Sequence, residues 1–211
     1  MVGDISLNLK ILIWLTLLTL GPALLITMTS FTRLIIVLAF LRNALGIHQL
    51  PPNQVLIGFA LFLTAFIMAP VWKQINEEAV KPYMSGKIDQ IQAIEKGLGP
   101  LRDFMFRQTR EKDLSLFIKL SGIGRPRDES DVPTYVLVPA FIISELKTAF
   151  EMGFLIYVPF LVIDMVVSSV LMAMGMLMVP PMLVSLPFKI LLFVMVDGWH
   201  ILTRSLALSF R

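Results

Sequence analysis

Five ionisable side chains stand where an apolar sequence has no ordinary use for them. Glu145, Lys147, Glu151, Asp164 and Lys189 all fall within residues 139–189, PAFIISELKTAFEMGFLIYVPFLVIDMVVSSVLMAMGMLMVPPMLVSLPFK. A charge in such a run needs a partner, a wet cavity or a neighbouring subunit, since a lone carboxylate at the centre of a bilayer costs about 2.5–3.5 kcal/mol on insertion scales. Lys147 and Glu151 are four residues apart and can meet on a helix, which leaves Glu145 facing elsewhere. Two readings follow for that turn: it sits at a membrane surface, or Glu145 makes a contact between subunits. Asp164 lies deep in PFLVIDMVVSSV, and antiparallel packing of the following unit would bring Lys189 to its depth. A structural ion pair fits these two better than a proton relay, which needs a longer chain of titratable groups.

Acid–base catalysis has little to work with. Asp164 and Asp197 invite comparison with a two-carboxylate site, but Asp197 follows Met195-Val196 rather than the glycine context of an intramembrane aspartyl protease. HExxH, GxSxG, P-loop and GxGxxG motifs are absent. Cysteine is absent too, and His48 and His200 are the only histidines. The residues therefore supply no catalytic set, no metal ligands and no cofactor signature, and the chain reads as non-enzymatic.

The methionines carry a different signal. Met172, Met174, Met176 and Met178 recur at every second position around Gly175 and end against Pro180-Pro181. On an α-helix residues two apart point about 200° apart, whereas in an extended segment they share a face. The pattern favours a loop or broken helix end over residues 172–182 that presents its thioethers on one side. Methionine is unbranched and polarizable and repacks around varied surfaces. Such a collar could close a pore against small ions and still yield to a passing polypeptide. The plainer alternative is lipid-facing methionines near a helix end.

The elements that must position these residues follow from composition. Of 211 residues, 56% are hydrophobic and 16% charged, with mean hydropathy +0.80; a soluble domain is nearer a quarter charged, so the class is an integral membrane protein. The net charge of +3 is spread along the chain, which gives nucleic-acid binding no footing. Residues 10–32 carry no charge between their ends and are long enough to span a bilayer, with a kink expected at Gly21-Pro22. The run is too long for a signal-peptide core and lacks a small-x-small exit, favouring a retained helix. Apolar sequence resumes to Arg42, Gly46 stops it, and Pro51-Pro52 opens a second charge-free helix over residues 54–72.

Residues 73–131 then hold most of the charge, nearly balanced, and read as short amphipathic helices over 75–84, 88–96 and 100–120, the last starting at Gly99-Pro100. Residues 122–133, GIGRPRDESDVP, read as a mobile linker, and the whole insert as a solvated spacer. Two further apolar units follow, over about 136–172 (interrupted at Pro159) and 186–208. The expected organisation is an all-α membrane protein: two kinked hydrophobic helical hairpins, residues 1–72 and 135–211, flanking a small helical extracytoplasmic domain, residues 73–134. Arg33, Arg42 and His48, grouped near the first hairpin tip, place that tip in the cytoplasm and the insert outside.

Several ordered motifs make the chain recognisable. PAFIISELKTAFEMGF, PFLVIDMVVSSVLMAMGMLMVPP and SLPFKILLFVMVDGW resemble the signature segments of the FliP family of flagellar type III export-gate proteins, whose virulence-secretion counterparts are called SctR. MTSFTRLIIVLAFLRNALG, PPNQVLIGFALFLTAFIMAP and PLRDFMFRQTREKDLSLF agree, so the resemblance covers nearly the whole chain; ALG with RQTRE points to the flagellar branch.

The resemblance implies an inner-membrane subunit of the flagellar basal body, assembled in several copies with FliQ and FliR beside FlhB and FlhA. Unfolded flagellar proteins would pass through the centre. It places Met172, Met174, Met176 and Met178 in a pore-closing loop, where Leu177 interrupts the family's run of three methionines, and Glu145 among the subunit contacts. It also implies that helices lie largely above the membrane plane and that the insert is extracytoplasmic. Family members are usually made with a cleavable signal peptide, which is not evident here. The competing classes are a virulence-type homologue, a polytopic solute transporter using Asp164, Lys189 and Asp197, and a scaffold with no pore of its own.

Overall fold

The structure is a computed structural model describing residues 26–210 apart from 48, 125 and 177, together with 12, 15, 16, 19 and 21. Most of the expected span over residues 10–32, with its Gly21-Pro22 kink, lies outside the described residues, as does His48. All regular structure among the described residues is helical.

The first element, α1 (Phe31–Ala44), buries Arg33, Leu34, Val37, Leu38, Leu41 and Ala44 along one stripe, the spacing of a helix with a single core-facing side. It ends where Gly46 takes a left-handed φ of 77°. Behind Pro52, α2 (Asn53–Ile67) returns against α1. The uninterrupted helix expected over 54–72 is broken: α2 stops at Met68, and α3 (Ala69–Ile75) leaves at a 56° bend. Pro70 in the first turn of α3 is acceptable there because its missing N–H has no helical partner anyway. A π-helical stretch, Asn76–Val80, and the short α4 (Lys81–Met84) complete this arm.

The insert differs from expectation at its proline. The helix does not start at Gly99-Pro100; α5 (Gln90–Gln108) runs through Pro100, which is buried. An interior proline forfeits one backbone bond, but Leu101, Phe104 and Met105 continue the buried side of the same helix, and that packing holds both halves together. Then α6 (Glu111–Ser121) ends at Gly122, φ 69°. The stretch expected as a mobile linker contains a 3-10 turn, Glu129–Asp131. There the Asp128 carboxylate accepts from the Ser130 hydroxyl and from the Ser130 and Asp131 amides. Those hydrogen bonds, the hydroxyl's first, hold Asp128 below the ordinary carboxylate value of 3.8.

The longest element, α7 (Thr134–Ala173, 40 residues), passes through both Pro139 and Pro159 without a break and is about 60 Å long at 1.5 Å per residue. It is followed by α8 (Pro181–Met195) and, after a 64° bend, α9 (Gly198–Leu208). The single unit expected over 186–208 is thus two helices. The bend is built at Asp197, whose φ of 52° is left-handed. A Cβ on Gly198 would lie 2.2 Å from the Phe193 ring, so only glycine allows α9 to fold back there. Among the described residues, α7 is by length and composition the one single helix able to cross a membrane, and the bent pairs α2–α4 and α8–α9 could each do so as one broken span.

Two cores organise these helices. One lies among α1, α2, α7, α8 and α9, around Val37, Leu38, Leu41, Ala60, Phe160 and Leu206. The other joins the insert to the start of α7, with Phe104 and Met105 against Leu137 and Phe141. The insert therefore shares a core with α7 and is not a detached spacer. Where α1 crosses α7, Phe40 lies on Gly153 so closely that a Cβ would fall 2.6 Å from its ring.

Two outcomes follow from this packing. Gly153→Ala should destabilise the chain by about 1–3 kcal/mol, the usual cost of overpacking, and Phe40→Leu in the same chain should restore most of it, read by denaturant unfolding in detergent. The Asp128 cap contributes fully above pH 3.8 and is lost as pH falls through the lower folded value. Protection of the Ser130 and Asp131 amides from exchange, corrected for intrinsic rates, should be constant from neutral pH down to about 3.8 and fall away between there and the lower folded value.

Candidate functional site

The charges of α7 all meet partners within the chain. Glu145 is fully buried and Arg33, in the first turn of α1, is 2% exposed. Arg33 Nε donates to Glu145 Oε2 at 2.9 Å and Nη2 to Oε1, the two-pronged fit of guanidinium to carboxylate. Nη1 donates to the Ser209 carbonyl at 2.9 Å and its hydroxyl at 3.0 Å, and Nη2 also to Gln108 Oε1 at 3.0 Å. The Phe210 ring lies over the guanidinium, 3.9 Å from centroid to Cζ.

Sequence reasoning left Glu145 without an intrachain partner and grouped Arg33 with Arg42 and His48 at a hairpin tip. The structure separates Arg33 from Arg42 along α1 and sets it against Gln108 of the insert. Of the three side chains grouped at the first hairpin tip, Arg33 therefore does not lie there. A usable signal existed: Arg33 is as anomalous in its apolar run as Glu145 is, and opposite in sign.

One turn further along α7, Lys147 reaches Glu151 only at 4.0 Å. Glu151 instead pairs with Arg110 at 2.6 Å. Arg110 sits at the corner between α5 and α6; its backbone N–H donates to Ser144 Oγ at 3.0 Å, and Ser144 Oγ donates to Asp113 Oδ2 at 2.7 Å. Arg110, Ser144 and Asp113 were not singled out from sequence, because nothing in their spacing links residues so far apart.

Deeper in the apolar half, Lys189 is 3% exposed and donates to Asp164 Oδ2 at 2.6 Å and to the Ala44 carbonyl at 3.1 Å. Ser185 Oγ donates to Asp164 Oδ1 at 2.6 Å. The ammonium thus neutralises a carboxylate and caps the C-terminal end of α1, where a cation suits the helix dipole. Asp197 joins neither group; at the α8–α9 bend it is exposed, and its side chain meets no partner among the described residues.

The methionines close the far end of α7. Met172 belongs to its last turn and Met174 is its cap. Gly175, φ 73°, donates to the Met172 carbonyl at 3.0 Å, and Met176 donates to the Leu171 carbonyl at 2.9 Å. These two bonds form a Schellman turn, and its left-handed position explains the glycine. The alternation thus arises from a helix end turning over, not from one extended strand of chain. Met172, Met174, Met176 and Met178 are 60, 62, 40 and 97% exposed; Leu177 lies outside the described residues. Beside them an apolar groove of about 510 Å³ runs between α7 and α8, lined by Val166, Val170, Met174, Val184 and Phe188. No group of three or more metal-ligating side chains occurs among the described residues.

A chain whose described residues are helical, with long apolar faces, paired charges along α7 and an exposed methionine turn, belongs to the membrane-associated class. Comparison with known proteins makes this specific. A family model described as the FliP family matches residues 14–206. The chain is 54% identical over 207 residues to the flagellar biosynthetic protein FliP of Bacillus subtilis, covering 98% of this chain and 94% of that one. It is 56% identical to FliP of Pectobacterium carotovorum, covering 97% and 80%, and 46% identical to FliP of Aquifex aeolicus, covering 99% and 88%. The chain belongs to the FliP family.

Removing one partner of the Arg33–Glu145 pair strands a buried charge, which costs about 3–5 kcal/mol. Glu145→Gln should lose most of that in denaturant unfolding, whereas Arg33→Met combined with Glu145→Leu should lose less than either single change. A double variant that loses the sum of the singles or more would contradict the pairing.

Proposed function

We propose that the chain is a core pore-forming subunit of the flagellar type III protein export gate. Several copies assemble with FliQ and FliR, beside FlhB and FlhA, in the inner membrane at the flagellar basal body, and unfolded flagellar proteins pass through the centre. Residues 1–72 and 135–211 form the two kinked hairpins, and residues 73–134 stand on the extracytoplasmic side. The observation that carries the reading is the methionine turn: four thioethers exposed at the end of a helix whose charges are already paired. A ring of such turns would line a constriction with soft, repackable groups, which excludes hydrated ions by dewetting and deforms around a polypeptide.

Membership of a family whose relatives carry the flagellar name supports the flagellar over the virulence branch. The exposed apolar faces support assembly, since Phe62, Phe66, Phe154, Val166, Leu183 and Val194 are all open and a lone soluble chain rarely tolerates so large an area. Glu145, Lys147, Glu151, Asp164 and Lys189 set the shape presented at those contacts.

Replacing Met174, Met176 and Met178 together by alanine should raise the leak of a small solute through vesicles holding the assembled complex by roughly tenfold, because the dewetting seal is lost. The native mass of the complex should stay the same. An unchanged leak at unchanged mass would remove the gasket role.

A further inference from the structure

Among the described residues, one side chain packs against both of the cores described above: Phe210. It follows the end of α9 at Leu208 and is half-buried. Its ring covers the Arg33 guanidinium at 3.9 Å and stacks on Phe104 of the insert at 6.2 Å between centroids, with the planes 22° apart. Its carbonyl accepts from Gln108 Nε2 at 3.4 Å, while the Ser209 carbonyl and hydroxyl occupy Arg33 Nη1.

A guanidinium offers five donors in one plane. Glu145 takes two of the bonds, and Gln108 and Ser209 take the rest. Without residues 209–210 the arginine would be left inside the protein with unpaired donors and one open face, a state buried charge does not tolerate.

We propose that Ser209 and Phe210 form a latch that closes over Arg33 and thereby docks the α5–α6 corner of the insert onto α7. Arg33 and Ser209 are 176 residues apart in the chain. The corner therefore cannot be seated until residue 210 has been made and α9 has folded back, and non-local closure of this kind comes late. Before that point the insert holds to α7 through Arg102, Arg110, Asp113 and the second core. Phe210 is a positioning residue: it acts on the insert through Arg33 and Phe104 and touches neither the methionine turn nor the Asp164–Lys189 pair. The latch is independent of the export reading above.

Limited trypsin digestion of the purified full chain in detergent tests this, with cleavage after Arg107 and Arg110 at the corner compared with cleavage after the exposed Lys87 in the same sample. In Phe210→Ala, and in a chain ended after Leu208, corner cleavage relative to Lys87 should rise about tenfold, as local opening without global unfolding predicts. Phe210→Tyr, which keeps the ring, should cleave like the wild type. An unchanged ratio would overturn the latch. So would an equal rise at Lys87 and the corner in Phe210→Ala, because Phe210 would then contribute only to overall stability.

Discussion

A buried guanidinium facing a buried carboxylate fixes the rest of this molecule. Neither Arg33 nor Glu145 tolerates separation, since each alone would be an ion in a medium that cannot solvate it. Satisfying both ties α1 to α7, and satisfying the remaining donors of Arg33 recruits Gln108 from the insert and Ser209 from beyond α9. Three distant parts of the chain thus converge on one side chain of a fourth. The other end of α1 is held by a second cation, Lys189, which grips both the helix terminus and Asp164. With both ends pinned, the register of α1 against α7 and α8 is determined, and the close contact of Phe40 with Gly153 can be made.

Much of this was legible in the residues. The helical class, the stops at Gly46 and before Pro52 and the motifs of the FliP family all follow from local chemistry that acts over a few residues. The bends were not legible. Pro70 announces a break only when one knows that the helix ends at Met68, and the left-handed turn at Asp197 shows only once Gly198 is seen to lie under the Phe193 ring. Pro100, Pro139 and Pro159 do the reverse: each suggests a stop, and tertiary packing on both sides carries the helix through. Proline is a local cost that a buried face can outweigh.

The partners of the charges were the least legible feature. Sequence spacing finds Lys147 for Glu151, a neighbour on the same helix, but Arg110, 41 residues away in the chain, takes that carboxylate. Only the anomaly is visible in sequence, namely that a charge stands in an apolar run; the identity of its partner depends on topology. The period-two methionines show the same limit. Their spacing excludes a continuous helical face, yet the Schellman turn that resolves it depends on the left-handed conformation of Gly175 at the end of α7.

The charges along α7 also divide it. Up to Glu151 the helix is packed against the insert and carries exposed ion pairs. From Phe154 to Met172 it exposes apolar side chains, and Asp164, bound to Lys189, is its only charge. That second stretch spans about 27 Å at 1.5 Å per residue, close to the roughly 30 Å hydrocarbon thickness of a bilayer. The Lys147–Glu151 level marks the boundary between the two stretches. The Arg33–Glu145 pair stands just above, shielded by the protein's own cores, so its burial does not depend on the surrounding membrane at all.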